Sequence, residues 1–568
     1  MNKAAVLHLS ESFMASAKSE DILNIRIRAD KEDKLDINLL YTYKFDEPRK
    51  WEEIEMEKTF EDEIFSYYEV DLKVIDKRIA YIFKIIEGKA TYYLCESSLS
   101  ENYDFENFHF TSFHMPYINE ADLFEPVEWM KDALFYQIFP ERFRRGDFSK
   151  DDSYINQKWE DLPRTDSFAG GDLKGIIEKL DHIKSLGVNA LYLTPIFKSP
   201  TNHKYDIMDY FEIDPQFGDK KDFKILVEKA HEMGIRIVLD AVFNHMSHKN
   251  PIFVDVREKG KESQYFDWFF IEGDEVDIEK ITYETFAHVY NMPKLNTSNK
   301  NVQDYLIKIG KYWIEEFDID GWRLDVSDEV SHDFWKRFRK EIKSSKKDAV
   351  IIGENWHNAE SFLRGDEFDS VMNYAFTNTA LDYFKEKIDA KKASDDLNMV
   401  IMRNRDAANR MMLNFLDTHD TPRFITEIEG SGDKFLAALA MSTIYMGANS
   451  IYYGTETLLE GGKDPDCRRA FPWDKLDENK ELTEKIKEIL AIKKHPAIKN
   501  GSIKIYSKDN ILIIERFDNE RSLGLATNLG QEKEFEITSQ ILLANNYENK
   551  KFKENSFVIW ESYKTIVN

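Results

Sequence analysis

The chain has 568 residues and a mass of 67.0 kDa, which exceeds the size of one typical domain and predicts two to four. Asp and Glu number 105 and Lys and Arg 78, so the net charge of −27 disfavours nucleic acid and anionic membrane surfaces as partners. The two cysteines, Cys95 and Cys467, exclude a disulfide framework and a four-thiolate metal site. Residues 1–23 lack an apolar segment as long as the core of a signal peptide, because polar residues interrupt it, and this indicates a cytoplasmic protein.

Short runs of alternating apolar and polar residues make up the first 120 residues. Five of them are separated by charged or Gly-containing turns, and they lie at 22–29, 35–43, 67–74, 80–86 and 91–96. Several short strands joined by such turns predict a β-sandwich. We expect this N-terminal domain to occupy residues 1–122.

From about residue 123, apolar strands alternate with amphipathic helices. Eight strands are predicted, at 134–139, 188–196, 235–243, 321–326, 349–355, 370–376, 412–417 and 450–454. Helical patterns lie between them, and those at 172–187 and 221–234 end in a Gly C-cap. Eight successive βα units predict an α/β fold, a (β/α)8 TIM barrel over residues 123–488. The connection at 246–299 is too long for a tether and predicts an inserted subdomain after strand three.

The alternating strand pattern returns after residue 489. Its runs at 501–507, 510–517, 522–529 and 556–562 predict a C-terminal antiparallel β-sandwich over residues 489–568. Residues 435–455 carry no charge and are long enough to span a membrane. The turn-forming residues at 447–450 instead favour a buried helix, a turn and a buried strand, so no membrane segment is expected.

Polar side chains collect where the predicted barrel strands end. They are His203, Tyr205 and Asp206 after strand two; Asp240, Asn244 and His245 on or after strand three; Arg323 and Asp325 on strand four; Glu354 and Trp356 after strand five; Asp417, His419 and Asp420 after strand seven; and Glu456 after strand eight. One Asp at a strand end is usually a helix cap. Charged groups at five or more strand ends of a barrel share one rim and predict an active site.

Strand four carries an unusual pair of charges. In residues 321–326, Arg323 and Asp325 share one face, and Trp322, Leu324 and Val326 share the other. We expect the apolar face to pack against the surrounding helices and the polar face to point toward the active site.

Four of these segments together resemble a known family. "DAVFNH" (240–245), "GWRLDVSDEV" (321–330), "GENW" (353–356) and "FLDTHD" (415–420) are similar, in order and spacing, to the four catalytic regions of the α-amylase family of glycoside hydrolases. "MPKLNT" (292–297), "DPDCRRAFPW" (464–473) and the N-terminal sandwich resemble the branch that contains cyclomaltodextrinases, neopullulanases and maltogenic amylases. The resemblance covers nearly the whole chain and is weakest in the first 120 residues.

The resemblance implies three catalytic carboxyl groups. Asp325 would be the nucleophile, held ionised by Arg323 on the same strand face, and Glu354 would be the acid/base. A closed, anionic pocket should raise the pKa of Glu354 so that it can donate a proton. Asp420 would bind sugar hydroxyls as the ring distorts toward an oxocarbenium ion.

The resemblance also implies the substrate-binding residues. His245 and His419 would bind sugar hydroxyls, Tyr205 would stack on the sugar ring with support from His203, and Asp240 would orient Arg323. Glu329 and Trp356 would line the acceptor side of the cleft. Asp464 and Arg468 would close or grip the donor end, and a surface salt bridge is the alternative for this pair.

The sequence differs from this branch at a possible calcium site. Members of the branch can carry an acidic, amide-rich segment after strand one whose oxygen atoms suit Ca²⁺. Here Asp147, Asp151 and Asp172 are present, but Arg145 and Lys150 stand where oxygen-bearing residues are expected. We therefore expect no cofactor and no metal, with these cations neutralising the carboxylates.

The expected function is retaining hydrolysis of α-1,4-glucosidic bonds in cyclodextrins, maltodextrins, pullulan or starch, through a glycosyl-enzyme intermediate and with transglycosylation. The alternative is the same fold with α-1,6-glucosidic, α-glucosidase or mainly transglycosylating specificity. The resemblance further implies a homodimer formed through the N-terminal domain. A non-catalytic sugar-binding protein is disfavoured because all three carboxylates are present. A metal-dependent barrel hydrolase is disfavoured because strand one has no histidine.

Overall fold

The computed structural model describes residues 1–115 and 117–563. They form an N-terminal pair of sheets, a central barrel and a C-terminal sheet. No helix among these residues is long and apolar enough to cross a membrane.

The N-terminal strands form two antiparallel sheets. In spatial order, one holds Ala15–Ser19, Ile22–Asp30, Phe65–Lys73 and Glu57–Glu61. The other holds Glu52–Glu55, Asp36–Tyr43, Ile79–Glu87, Ala90–Cys95 and Ser98–Ser100, with Phe113–His114 paired to Ile79–Glu87. Alternate residues such as Ile25, Leu39 and Phe83 bury their side chains between the sheets, because alternate strand residues share a face. The predicted sandwich is confirmed.

Eight parallel strands form the barrel, and we number them β1 to β8. They are Leu134–Ile138, Ala190–Leu193, Arg236–Ala241, Gly321–Leu324, Val350–Gly353, Ser370–Val371, Leu413–Phe415 and Ala448–Tyr452. Hydrogen-bonded neighbours run in the order β6-β5-β4-β3-β2-β1-β8-β7. A parallel bridge from Met372, just after β6, to Leu413 of β7 joins the two ends. The TIM barrel is confirmed, with every predicted strand in its place.

Helices surround the barrel between the strands. The main ones are Leu173–Glu178, Leu180–Ser185, Lys220–Glu232, Lys300–Phe317, His332–Ser345, Tyr374–Phe384, Ala390–Met402, Gly432–Ile444 and Lys480–Ala491, and shorter ones are Pro140–Phe143, Asp406–Asn409, Phe424–Glu427 and Pro496–Asn500. Helix Lys220–Glu232 begins with a capping box between Asp219 and Asp222 and is followed by Gly234 in the left-handed region.

Several predicted elements differ in extent from those of the structure. The helix expected over 172–187 is divided at Lys179 into two segments. Strand β6 ends at Val371 instead of 376, because Asn373 caps a helix by accepting a hydrogen bond from the backbone N–H of Phe376. Strand β4 ends at Leu324, and Val326 adopts a left-handed backbone with φ of 47°. Val326 was expected to pack on the outer face, and it instead lines a cleft.

The segment between β3 and helix Lys300–Phe317 folds back onto β3. It contains helix Pro251–Lys259 and a series of antiparallel bridges that join Ile271 to Tyr283, Phe269 to Leu295, and Lys294 to His245. The long connection is therefore tied to the rim of the barrel at the end of β3.

The C-terminal strands are Ser502–Lys508, Ile511–Phe517, Arg521–Asn528, Lys533–Glu534, Gln540–Glu548 and Lys551–Tyr563. The antiparallel strands are as predicted, but hydrogen bonds join all six into one sheet through Lys551–Tyr563 instead of two separate sheets. One face packs on the barrel through Leu512 and Ile514, and the other buries Ile511 and Ile513 in a small separate core.

Candidate active site

The candidate residues lie at the carboxyl ends of adjacent parallel strands. Asp240 lies on β3 directly opposite Arg323 on β4. Asp325 and Glu354 each follow the last residue of their strand, β4 and β5. Because parallel strands end at one edge of the barrel, side chains more than a hundred residues apart in the sequence converge.

Arg323 is the centre of the charge arrangement. Its Nη1 lies 3.0 Å from Asp240 Oδ2 and 2.9 Å from Asp325 Oδ1, and its Nη2 lies 2.9 Å from Glu354 Oε2. The Asp420 carboxylate is more distant, at 4.0 Å. The guanidinium is 1% exposed. One buried cation thus serves three buried carboxyl groups.

This sharing changes the expected protonation of Asp325. Burial and the nearby Glu354 carboxylate raise the pKa of Asp325 well above its ordinary value, and Arg323 opposes this rise. Burial also raises the pKa of Asp240 to about 6. The expectation that Arg323 by itself holds Asp325 ionised is incomplete, because the same guanidinium is divided among several carboxyls. Interacting carboxyl groups titrate as a set, so the protonation of Asp325 depends on its carboxyl neighbours as well as on Arg323.

Glu354 is held at both carboxylate oxygens. Oε2 accepts a hydrogen bond from the backbone N–H of Val326 at 2.9 Å, and Oε1 accepts one from Trp356 Nε1 at 3.0 Å. The left-handed backbone of Val326, costly for a β-branched residue, directs that N–H. The Trp356 ring stacks on Tyr374 at 4.0 Å.

A second network holds Tyr205 and His419. Gln137 Nε2 lies 2.7 Å from His419 Nδ1, and Tyr205 OH is hydrogen-bonded to His419 Nε2 and donates to Asp240 Oδ2 at 3.0 Å. The Tyr205 and His419 rings are parallel, with centroids 5.5 Å apart. Tyr192 also donates to Asp240 Oδ2, at 2.6 Å. Asp240 therefore orients the tyrosines as well as Arg323.

The three predicted histidines are neutral. Burial lowers the pKa of both His203 and His245 to about 3, and burial with nearby Arg468 and Arg323 lowers that of His419 well below its ordinary value. His203 Nδ1 accepts a hydrogen bond from the backbone N–H of Tyr205 at 3.1 Å. His245 Nε2 is buried without a hydrogen-bond partner among the described residues, so a ring nitrogen is left for a ligand.

Arg468 joins the donor-side loop to the rest of the site. It lies 2.9 Å from Asp464 Oδ1 and 3.3 Å from Asp420 Oδ1, and its Nε donates to the carbonyl of His419 at 2.8 Å. Arg468 is 9% exposed. The pair joins a buried guanidinium in the cleft to an Asp464 carboxylate that is 49% exposed, so only one of its members is a surface group.

Glu329 lines the cleft next to the inserted segment. Its carboxylate lies 2.8 Å from Lys294 Nζ, and Lys294 is also hydrogen-bonded to Asn244 Oδ1. Lys294 thereby connects the inserted segment to the ends of β3 and β4.

One cleft of about 530 Å³ brings the predicted residues together. Ten of the twelve line it, namely His203, Tyr205, His245, Asp325, Glu329, Glu354, Trp356, Asp420, Asp464 and Arg468. Arg323 and His419 lie behind this lining, with side chains 1% and 0% exposed.

Sequence reasoning missed several residues of the site. Gln137 is a polar residue inside an otherwise apolar strand, and that contrast was a usable signal. Lys294 lies within the quoted 292–297 segment, but its spacing does not show its partners. Phe286, which stacks on His245 at 4.9 Å, and Tyr192 carry no signal, because aromatic residues are mostly core.

In residues 145–172, where no metal is expected, Lys and Arg side chains contact the Asp carboxylates. Lys150 Nζ lies 2.8 Å from Asp172 Oδ2, Lys174 Nζ lies 2.6 Å from Asp147 Oδ2, and Arg145 pairs with Asp152 at 3.0 Å. These carboxylates are engaged by ammonium and guanidinium groups. The residues present therefore do not fit a calcium ion.

Two family models match the chain. "Alpha amylase, catalytic domain" matches residues 137–501, and "Alpha amylase, N-terminal ig-like domain" matches residues 1–119.

Three curated relatives match over most of their length. A cyclomaltodextrinase from Thermoanaerobacter pseudethanolicus is 40% identical over 546 residues, covering 95% of each chain. Neopullulanase 2 from Thermoactinomyces vulgaris is 41% identical, covering 93% of this chain and 92% of that one. An intracellular maltogenic amylase from Bacillus subtilis is 41% identical, covering 87% and 84%. A solved cyclomaltodextrinase structure, 38% identical, has a TM-score of 0.91 and covers 99% of this chain and 98% of that chain.

Proposed function

Because this chain belongs to the alpha-amylase family of glycoside hydrolases, we propose that it hydrolyses α-1,4-glucosidic bonds of cyclodextrins and short maltodextrins with retention of configuration. The relatives named cyclomaltodextrinase, neopullulanase and maltogenic amylase support this substrate class. The observation that carries the mechanism is that Asp325 and Glu354 open to one cleft and share one buried Arg323.

Asp325 is the nucleophile. Arg323 donates to its Oδ1, whereas Oδ2 is buried without a hydrogen-bond partner among the described residues. That oxygen is free to attack the anomeric carbon and to form a glycosyl-enzyme ester. Arg323 fixes the other oxygen, so the attacking lone pair is oriented before substrate binds.

Glu354 is the acid and then the base. Retention requires one ionised and one protonated carboxyl group, and in this mechanism Glu354 carries the proton. Glu354 donates that proton to the leaving oxygen as Asp325 attacks. It then takes a proton from water, or from an acceptor sugar in transglycosylation, when the ester is cleaved.

The remaining residues bind the sugar. Asp420, held by Arg468, offers a carboxylate to hydroxyls of the distorting ring, and neutral His245 offers a ring nitrogen without adding positive charge near an oxocarbenium ion. His419 was expected to bind a sugar hydroxyl, but Gln137 and Tyr205 engage both of its ring nitrogens, so it positions Tyr205 instead. Tyr205 provides an aromatic face. Glu329 and Trp356 lie on the acceptor side, and Asp464 with Arg468 limits the donor side.

Product analysis of pullulan tests the bond specificity. Pullulan consists of maltotriose units joined by α-1,6 bonds, so α-1,4 cleavage releases panose or isopanose, whereas the alternative α-1,6 specificity releases maltotriose. β-Cyclodextrin, soluble starch and maltotriose are compared beside it, and faster turnover of β-cyclodextrin than of starch is expected. Maltotriose as the main pullulan product would overturn the assignment.

Variants of the two carboxyls test the mechanism. Asp325→Asn and Glu354→Gln should each lower kcat on β-cyclodextrin, by about 10²–10⁴-fold for loss of the acid. The exposed Asp304→Asn, whose carboxylate pairs with Arg337, is the matched control and should retain activity. An Asp325→Asn chain with near-normal turnover would rule out the proposed nucleophile.

We also propose a homodimer formed through the N-terminal domain. Phe45, Ile75 and Tyr117 are 69%, 94% and 53% exposed, and they lie at one end of that domain, where Arg78 lies over the Phe45 ring and Lys77 over Tyr117. Exposed apolar side chains grouped in this way are typical of protein interfaces. A dimer placed so that this end narrows the partner's cleft would favour small substrates over starch.

Light scattering of the full chain tests the dimer. Wild type should have the mass of two chains, and Phe45→Ser with Ile75→Ser should yield monomers with a lower ratio of cyclodextrin to starch turnover. Ile281→Ser, at an exposed apolar residue of the inserted segment, is the control. A monomeric variant that keeps the wild-type ratio would contradict the role of the N-terminal domain.

A cytoplasmic location is part of the proposal. Its support is the relative named an intracellular maltogenic amylase. Fractionation of the source cells should place the enzyme with a cytoplasmic marker, and recovery with the exported proteins would contradict it.

A further inference from the structure

An ammonium group is enclosed by oxygen atoms in the segments that follow β1 and β2. Lys150 Nζ lies 2.8 Å from Asp172 Oδ2, 2.9 Å from the carbonyl oxygen of Gly170 and 2.7 Å from that of Gln216. The Lys150 side chain is 8% exposed. One carboxylate and two carbonyl oxygens around one positive charge form the kind of ligand set that also suits a hard metal cation.

The three oxygens are positioned by contacts that do not involve Lys150. Asp172 caps helix Leu173–Glu178 by accepting from Gly175 N–H at 2.8 Å, and it also accepts from Gly146 N–H at 2.9 Å and Asp147 N–H at 3.0 Å. Gly170 N–H donates to the buried Glu141 carboxylate at 2.7 Å. These contacts keep the oxygens close together whatever fills the space between them.

The Gln216 oxygen comes from a different loop. Gln216 N–H donates to Asp214 Oδ1 at 2.9 Å, and Asp214 Oδ2 pairs with the buried Lys204 at 2.9 Å. Lys204 lies between His203 and Tyr205, which line the cleft. Lys150 therefore joins the segment after β1 to the segment after β2 that carries two candidate binding residues.

We infer that Lys150 is an internal cation that occupies the position of a bound metal ion and makes this part of the fold independent of divalent metal. Asp172 supplies the negative charge, and the two carbonyls complete the enclosure. Burial lowers the pKa of Lys150, and the Asp172 carboxylate opposes that shift. Removing the ammonium without filling its space should leave three converging oxygens that bind calcium.

Two variants separate charge from volume. Lys150→Ser removes the ammonium and leaves space for an ion, whereas Lys150→Met removes the charge and keeps most of the stem. Lys174→Ser is the matched control, because Lys174 pairs with Asp147 in the same segment but its side chain is 44% exposed. The melting temperature of each full chain is measured in EDTA and in millimolar CaCl2, with calcium bound per chain measured by calorimetry.

For each of three chains, the melting temperature in EDTA should equal that in CaCl2. These chains are wild type, Lys150→Met and Lys174→Ser. Lys150→Ser should melt several degrees lower in EDTA and regain at least half of the loss in CaCl2, with one calcium bound per chain, because a ligand that binds only the folded state stabilises it. MgCl2 should restore less, since Mg²⁺ requires a smaller, octahedral site.

Three results would overturn the inference. They are a wild-type chain that loses stability in EDTA, a Lys150→Ser chain with equal melting temperatures in both media, and a Lys150→Ser chain that is not recovered folded in either. Calcium rescue of Lys150→Met would also contradict it, because that side chain leaves no room for an ion.

Discussion

At the scale of single residues, the site depends on one buried cation shared by several carboxyls. Arg323 is within 3.0 Å of Asp240, Asp325 and Glu354. A charge removed from Glu354 or Asp240 changes the pKa of Asp325, because buried groups interact strongly when little water screens them. The Glu354→Gln variant therefore changes the pKa of the nucleophile Asp325 as well as the protonation of the leaving group.

The first prediction follows from this coupling. Glu354→Gln removes a carboxyl group that, in its ionised form, raises the pKa of Asp325, so Asp325 should become ionised at lower pH. A maltosyl fluoride needs no acid for its leaving group and isolates the attack by Asp325. The acidic limb of its pH–rate profile should lie at lower pH in Glu354→Gln than in wild type. An unchanged acidic limb would show that the two carboxyls are not coupled.

The second prediction concerns His245, whose pKa burial lowers from 6.5 to about 3. Between these values the unfolded chain binds a proton that the folded chain does not, so stability falls as pH falls through this window. The fully buried His245 should contribute about 1.4 kcal/mol per pH unit of that slope. Urea unfolding from pH 4 to 6 should show a shallower slope in His245→Asn, whereas the exposed His109→Asn should keep the wild-type slope. Equal slopes in all three chains would contradict it.

At the scale of elements, the strand ends position the groups more than the strand interiors do. β4 stops one residue before Asp325, and the left-handed Val326 directs a backbone N–H to Glu354. β6 stops at Val371 because Asn373 begins a helix. The alternating pattern continues through both endings, so periodicity extended these strands beyond their true limits.

The third prediction tests the packing of β4 against β5. A Cβ added to Gly321 would lie 2.3 Å from the carbonyl oxygen of Val350, so Gly321→Ala must separate the two strands that carry Arg323 and Glu354. The expected loss of stability is about 1–3 kcal/mol, with a lower kcat on β-cyclodextrin. Gly530→Ala, where a Cβ would meet no heavy atom within 4 Å, is the control. Wild-type stability and kcat in Gly321→Ala would contradict the predicted strand contact.

At the scale of the whole molecule, buried cations also connect the domains. Arg26 of the N-terminal sheets donates to the barrel carbonyls of Met402 and Asn404 at 3.2 and 3.3 Å. Arg516 of the C-terminal sheet donates to five carbonyls, including those of Ile444 at 3.1 Å and Ile498 at 2.6 Å. The predicted domain boundaries at 122 and 488 stay predictions, but these contacts make cooperative unfolding the expectation.

The fourth prediction concerns Arg516. Arg516→Met leaves several buried carbonyls unpaired, each at a cost of about 1–3 kcal/mol, so the melting temperature of the whole chain should fall. Arg521→Met, on the same sheet and partly exposed, should change stability by less than about 0.5 kcal/mol. A separate early transition for the C-terminal sheet, with the barrel unchanged, would contradict cooperative unfolding.

The sequence by itself determined the architecture and which residues lie at the carboxyl ends of the barrel strands. Strand and helix periodicity is local, so β1 to β8 and the N-terminal sandwich could be predicted from short windows. The motifs around Asp325, Glu354 and Asp420 could be placed at one edge because parallel strands must end together. The twelve predicted residues therefore lie at one cleft.

The tertiary structure alone decided the charges and their partners. Arg323 faces Asp240 and Glu354, Arg468 is buried beside Asp420, and Lys150 reaches Gln216 on another loop, although each pair is far apart in sequence. No local pattern encodes such pairs or the loss of water around them. Because burial and partner distance set the pKa of a group such as Asp325, its protonation followed from the folded structure and not from its neighbours in the chain.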